Sequence, residues 1–205
     1  MIMNKNNTVK IFCGAFLGIA FVYGLVLPFM WGNNPMSETG TLSLLCEDRK
    51  LFFWIWGILT SGSIILNTKY LYKRYDYKNK VFDAFCVMGF ISMCCVALTL
   101  GHSIADWNPK RLLHWIATGV FIVFTVAPIL LFFIKNIKKF KGFKACTVIT
   151  LLILGTFVFI FAVIGKSALM EMVPIALIEA FLFILNFTSL LKIEEKELEK
   201  RGVSV

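Results

Sequence analysis

Six long stretches of this chain carry almost no formal charge: Ile11 to Trp31, Leu51 to Thr68, Ala84 to Gly101, Leu112 to Ile134, Ala145 to Gly165 and Met172 to Leu191. A helix rises about 1.5 Å per residue, so ~20 apolar residues cross a ~30 Å hydrocarbon core. Each stretch comes close to that length. In lipid the backbone must satisfy its own hydrogen bonds, which leaves helices and closed barrels as the spanning forms. The expected fold is all-α: a polytopic bundle of six transmembrane helices forming one domain over residues 1–205.

Charge supplies the orientation. Placing the N-terminus in the cytoplasm puts 16 of the 21 basic residues on the inner side. The five outer ones are Arg49, Lys50, Lys110, Arg111 and Lys166. Cytoplasmic loops retain lysine and arginine during insertion, so both termini are expected inside. The net charge of +9 is therefore topological, and nucleic-acid binding is not needed to explain it. Hydrophobic residues make up 59% of the chain and charged ones 16%, too little polar surface for a soluble domain. The apolar run of the first span is too long for a cleavable signal peptide, and no small-x-small site follows it.

Five of the six cysteines fall in spans and Cys46 in the first outer loop. No CxxC pair is present, which points to buried free thiols rather than a disulfide relay. Asn108-Pro109 reads as the N-cap and first turn of span four. Pro128 is expected to kink that span, whereas Pro174 is expected in the first turn of span six. Trp31, Trp54, Trp56, Trp107 and Trp115 lie near the outer boundary, as an aromatic belt does. The tail from Lys192 to Arg201 alternates acids and bases and is expected to extend the last helix.

Glu179 is the most informative single residue. It lies near the bilayer middle, where an ionised carboxylate costs at least ~2.5 kcal/mol. Glu171, Ile175, Glu179, Leu182 and Asn186 share one helix face, and Thr60, Ser63 and Asn67 offer partners in span two. Glu179 reads either as a proton- or cation-binding carboxylate or as a neutral group fixing helix packing. A second group collects on the outer side: Ser37, Glu38 and Gly40 in the first loop, His102, Asp106 and His114 around the second, and Lys166 with Glu171 at the third. The only two histidines, with Asp106, could hold a catalytic zinc through His102, Asp106 and His114. The blander reading has these imidazoles hydrogen-bonding a loop or headgroup. Ser37 lacks a glycine elbow and an assigned base, and its segment also reads as a plain turn before a short capped helix.

Asn34-Pro35-Met36-Ser37-Glu38-Thr39-Gly40 is similar to the Pro-x-x-Ser-acid-x-Gly pattern of DRAM-like proteins. That group includes autophagy modulators, GPI-anchor-remodelling relatives and prokaryotic six-helix proteins. Their histidine opening span four is matched by His114-Trp115-Ile116-Ala117-Thr118-Gly119 and Phe121, with Ala117-Thr118 where the family has Gly-Ala. The resemblance implies a lipid-handling or regulatory membrane protein and supplies no defined reaction, cofactor or catalytic residue. Ceramidase-like hydrolases use three histidines on seven spans, a set this chain cannot assemble.

Three functions follow: a lipid- or partner-binding membrane protein, an outward-facing metal-assisted lipid hydrolase, and a proton- or cation-coupled transporter using Glu179. The first is the main expectation, with membrane lipids as partners beside a second copy or another membrane protein. Lysine outnumbers arginine 17 to 4, a bias expected of an AT-rich bacterial gene and hence a plasma-membrane location.

Overall fold

The computed structural model describes residues 5–32, 34–37, 40–100, 109–138 and 141–188. All regular structure among them is helical. Among the described residues five helices are long and apolar enough to cross a membrane: α1 (Lys5–Val26), α3 (Lys50–Arg74), α5 (Pro109–Asn136), α6 (Lys141–Ile164) and α7 (Ala168–Phe187). A short helix, α2 (Leu42–Leu45), lies in the loop between α1 and α3, and a 3₁₀ turn, Leu27–Phe29, ends α1. The remaining apolar helix, α4 (Phe82–Leu98), has 17 residues. At 1.5 Å each it spans about 25 Å, short of the ~30 Å core. The chain is a multi-pass integral membrane protein with an α-helical bundle.

Local chemistry sets the ends. α3 closes with Asp76 at φ 44°, while Tyr77 N–H donates to the Tyr72 carbonyl at 2.9 Å and Asp76 N–H to that of Lys73 at 3.2 Å. This is the Schellman pattern, with aspartate in the left-handed position usually taken by glycine. Gly165, at φ 82°, directly follows α6 in the left-handed conformation that glycine adopts without strain. Ser167 then caps α7, accepting from Met170 N–H at 3.3 Å. That cap starts α7 earlier than the apolar pattern indicated and moves Pro174 from the first turn into the helix interior. Pro174 has no N–H to offer the Met170 carbonyl. α5 runs through Pro128, whose carbonyl accepts from the Tyr72 hydroxyl at 2.7 Å.

α7 packs against α1, α3 and α6, while α5 packs against α4 and α6. One core centres on aromatic side chains, with Tyr72, Phe132, Phe133 and Phe143 buried together. The other gathers Leu42, Cys46, Phe53, Trp56, Met93 and Met172 beneath the first loop. Outward faces remain apolar, with Ile11 63%, Leu152 64% and Val163 66% exposed. In water such a surface would aggregate; in a bilayer it meets hydrocarbon.

Candidate functional site: a lipid-side cavity and a buried polar seam

Between α5, α6 and α7 lies a cavity of about 400 Å³ whose mouth is lined by His114, Trp115, Thr118, Lys166 and Glu171. His114, Thr118, Ile122, Phe157, Met170 and Glu171 also line a deeper void that continues inward to Trp56, Phe121 and Ile178. The deep walls are almost wholly apolar. Trp115, Gly119 and Val123 line the mouth at successive four-residue steps on the exposed side of α5, so the cavity opens sideways as well.

Each polar group at the mouth is held by a neighbour. His114 is buried, with Nδ1 3.2 Å from the Thr99 hydroxyl oxygen. That hydroxyl donates to the Cys95 carbonyl at 2.7 Å and is thereby placed to accept from His114 Nδ1. Thr118 donates to the His114 carbonyl at 2.8 Å. The Glu171 carboxylate accepts the Leu42 N–H at 2.8 Å and also faces the Ser43 N–H, which places it on the N-terminus of α2. Lys166, in the α6–α7 turn, puts its ammonium 5.6 Å from the centre of the Trp115 ring. Burial lowers its pKa from the usual lysine value; Arg111 pulls the same way and Glu171 opposes both.

The first loop is fastened to α7 a second time, where Leu169 N–H donates to the Pro35 carbonyl at 3.3 Å. Ser37 uses its hydroxyl on the Asn34 carbonyl at 2.9 Å. A Cβ at Gly40 would run into that same carbonyl, which gives this glycine a steric reason. Ser37 and Gly40 thus shape the loop. Cys46 beneath it is a buried free thiol with its pKa pushed up to about 11, chiefly by burial and then by Glu171, with Arg49 opposing.

A polar seam runs through the other half of the bundle, where α1, α3 and α7 meet. The Ser63 hydroxyl lies 2.9 Å from both Glu179 Oε1 and the Thr60 carbonyl. Asn67 donates to the Ser63 carbonyl at 2.9 Å and to that of Cys13 at 3.2 Å. Asn186 donates to the Asn67 carbonyl at 3.0 Å, and Arg74 donates to that of Leu185 at 2.7 Å. Glu179 and Asn186 are each 2% exposed.

His114 and Glu171 therefore meet at one cavity, whereas Glu179 and Asn186 lie together in the seam. Glu38, His102, Asp106 and the tail from Lys192 to Arg201 lie outside the described residues, as does Asn108. Among the described residues no three His, Cys, Asp or Glu side chains are grouped as metal ligands. Phe157, Ile122 and Trp56 were not legible as cavity walls, because nothing separates them from other apolar or belt residues in their spans. Comparison with protein-family models, curated proteins and solved structures finds no match for this chain.

Proposed function

We propose that this membrane protein binds a lipid-derived amphiphile with an anionic headgroup, seating the headgroup at the mouth and the acyl chain in the apolar depth. The observation that carries this reading is the sideways-opening cavity that joins a polar mouth to apolar walls. A volume of about 400 Å³ falls within the range of small-molecule sites, ~300–1,000 Å³. A chain entering past Gly119 would come from hydrocarbon rather than water. The Glu171 charge is already engaged by backbone N–H groups of α2, so Lys166, with Arg111 near it, favours an anion.

The residues that resemble the DRAM-like pattern support a kinship: His114, Thr118 and Phe121 border the deep void, and Gly119 the mouth. Lipid handling in a bacterial plasma membrane, with the mouth on the outer side, fits this site and the distribution of lysine. Binding requires no reaction, and none is assigned.

Gly119 offers the direct test, since an added Cβ meets nothing within 4 Å. Gly119→Phe fills the mouth without displacing the backbone. Mass spectrometry of lipid retained after purification in mild detergent should find roughly one anionic amphiphile per wild-type chain. The variant should retain about tenfold less, equivalent to ~1.4 kcal/mol. Equal retention by both proteins, or none by the wild type, would overturn the reading.

A further inference from the structure

Ser63 has one hydroxyl proton and two acceptors at equal distance, the Thr60 carbonyl and Glu179 Oε1, each at 2.9 Å. A hydroxyl donates once and accepts up to twice. With Glu179 ionised, the proton must turn toward the carboxylate and leave the Thr60 carbonyl. With a proton on Glu179, the acid donates to Ser63 Oγ and Ser63 donates onward to Thr60, completing both bonds. The hydroxyl thus has two orientations, one for each protonation state of its partner.

Unpartnered polar atoms continue the line. Trp56, Thr60 and Ser63 follow one another at four and three residues, on one face of α3. Trp56 Nε1 and the Thr60 hydroxyl are buried and lack hydrogen-bond partners among the described residues. Buried polar atoms in native proteins are ordinarily satisfied, by ordered water where protein groups are lacking. Trp56 also lines the deep void, which leads to the polar mouth.

We infer that Glu179 is a proton-binding site in the membrane interior, exchanging its proton with the cavity through the Ser63 hydroxyl and water held at Thr60 and Trp56. On release, the acid O–H breaks as its proton passes to Ser63 Oγ, the original Ser63 proton leaves the Thr60 carbonyl for water on the cavity side, and the hydroxyl is left donating to the carboxylate. Titratable groups at least partly buried on the packed helices are Cys13 and Tyr23 of α1, Tyr70, Tyr72 and Arg74 of α3, and Cys146 of α6. On α7 itself, Glu171 lies two turns away. Arg74 is engaged with the carbonyls of Leu185 and Asn186. Among the described residues Ser63 is the side chain bonded to Glu179. The inference does not depend on which ligand the cavity holds.

Infrared difference spectroscopy of the protein in lipid vesicles reads this proton directly. The wild type should show the carbonyl band of a protonated carboxylic acid that Glu179→Gln removes. The band should shift on transfer to D₂O and disappear as pH is raised. Glutamine can still donate to Ser63 Oγ, which preserves packing. If that variant does not fold, Ser63→Ala serves instead and should move the same band. Thr60→Val, which removes one water station, should slow the D₂O shift about tenfold while leaving the band present. A band unaffected by Glu179→Gln, or insensitive to D₂O and pH, would overturn the inference.

Discussion

Lys166 sits in the turn between α6 and α7, its ammonium on the Trp115 ring and its pKa lowered chiefly by burial. A lysine binds an anion only while protonated, so binding is strongest below its pKa and fades as pH rises through it. Because that pKa is lowered, the loss should come at a lower pH than an ordinary lysine gives. A charged hydrogen bond contributes ~1.5–3 kcal/mol, so affinity for a fluorescent fatty-acid probe should fall about tenfold or more across the transition. Arginine stays charged throughout. Lys166→Arg should therefore hold the probe into alkaline pH, and identical profiles for the two proteins would refute the role. Sequence order placed Lys166 beside an outer loop. Its meeting with Trp115 depends on how α5 and the α6–α7 turn pack, which no local pattern encodes.

The contact of α3 with α4 turns on Gly57. A Cβ there would overlap the end of the Met93 side chain, which is 2% exposed and would have to turn into the deep void it borders. Gly57→Ala is therefore expected to destabilise the bundle by about 1–3 kcal/mol, as overpacking does, despite the better helix propensity of alanine. Met93→Ala in the same chain should recover part of that loss, since it removes the atoms that collide. Thermal denaturation in detergent would show the double variant melting above Gly57→Ala alone; independent losses would place the strain elsewhere. The helices themselves were legible as apolar runs, because lipid demands that pattern wherever a chain crosses. Their crossings were not. A glycine in a span looks the same whether it meets a methionine, as Gly57 does, or open space, as Gly119 does.

At the scale of the whole molecule, α7 belongs to both sites. It contributes Glu171 to the cavity mouth and Glu179 to the seam. Eight residues separate them, which at 1.5 Å each is about 12 Å along the axis. Their partners differ as well: Leu42 N–H for Glu171, and Ser63 for Glu179. Sites farther apart than ~7–10 Å without shared partners generally add within ~0.3–0.5 kcal/mol. Glu171→Gln weakens the hold of α7 on the first loop, and Glu179→Gln changes a donor in the seam. The stability loss of the double variant should therefore equal the sum of the single losses within about 0.5 kcal/mol. A larger discrepancy in reversible denaturation would mean that α7 moves as a unit between two packings. Protonation at Glu179 would then be felt at the mouth, and lipid retention should change with Glu179→Gln. Additivity would instead make α7 a rigid shared wall, with a lipid site and a proton site that act separately.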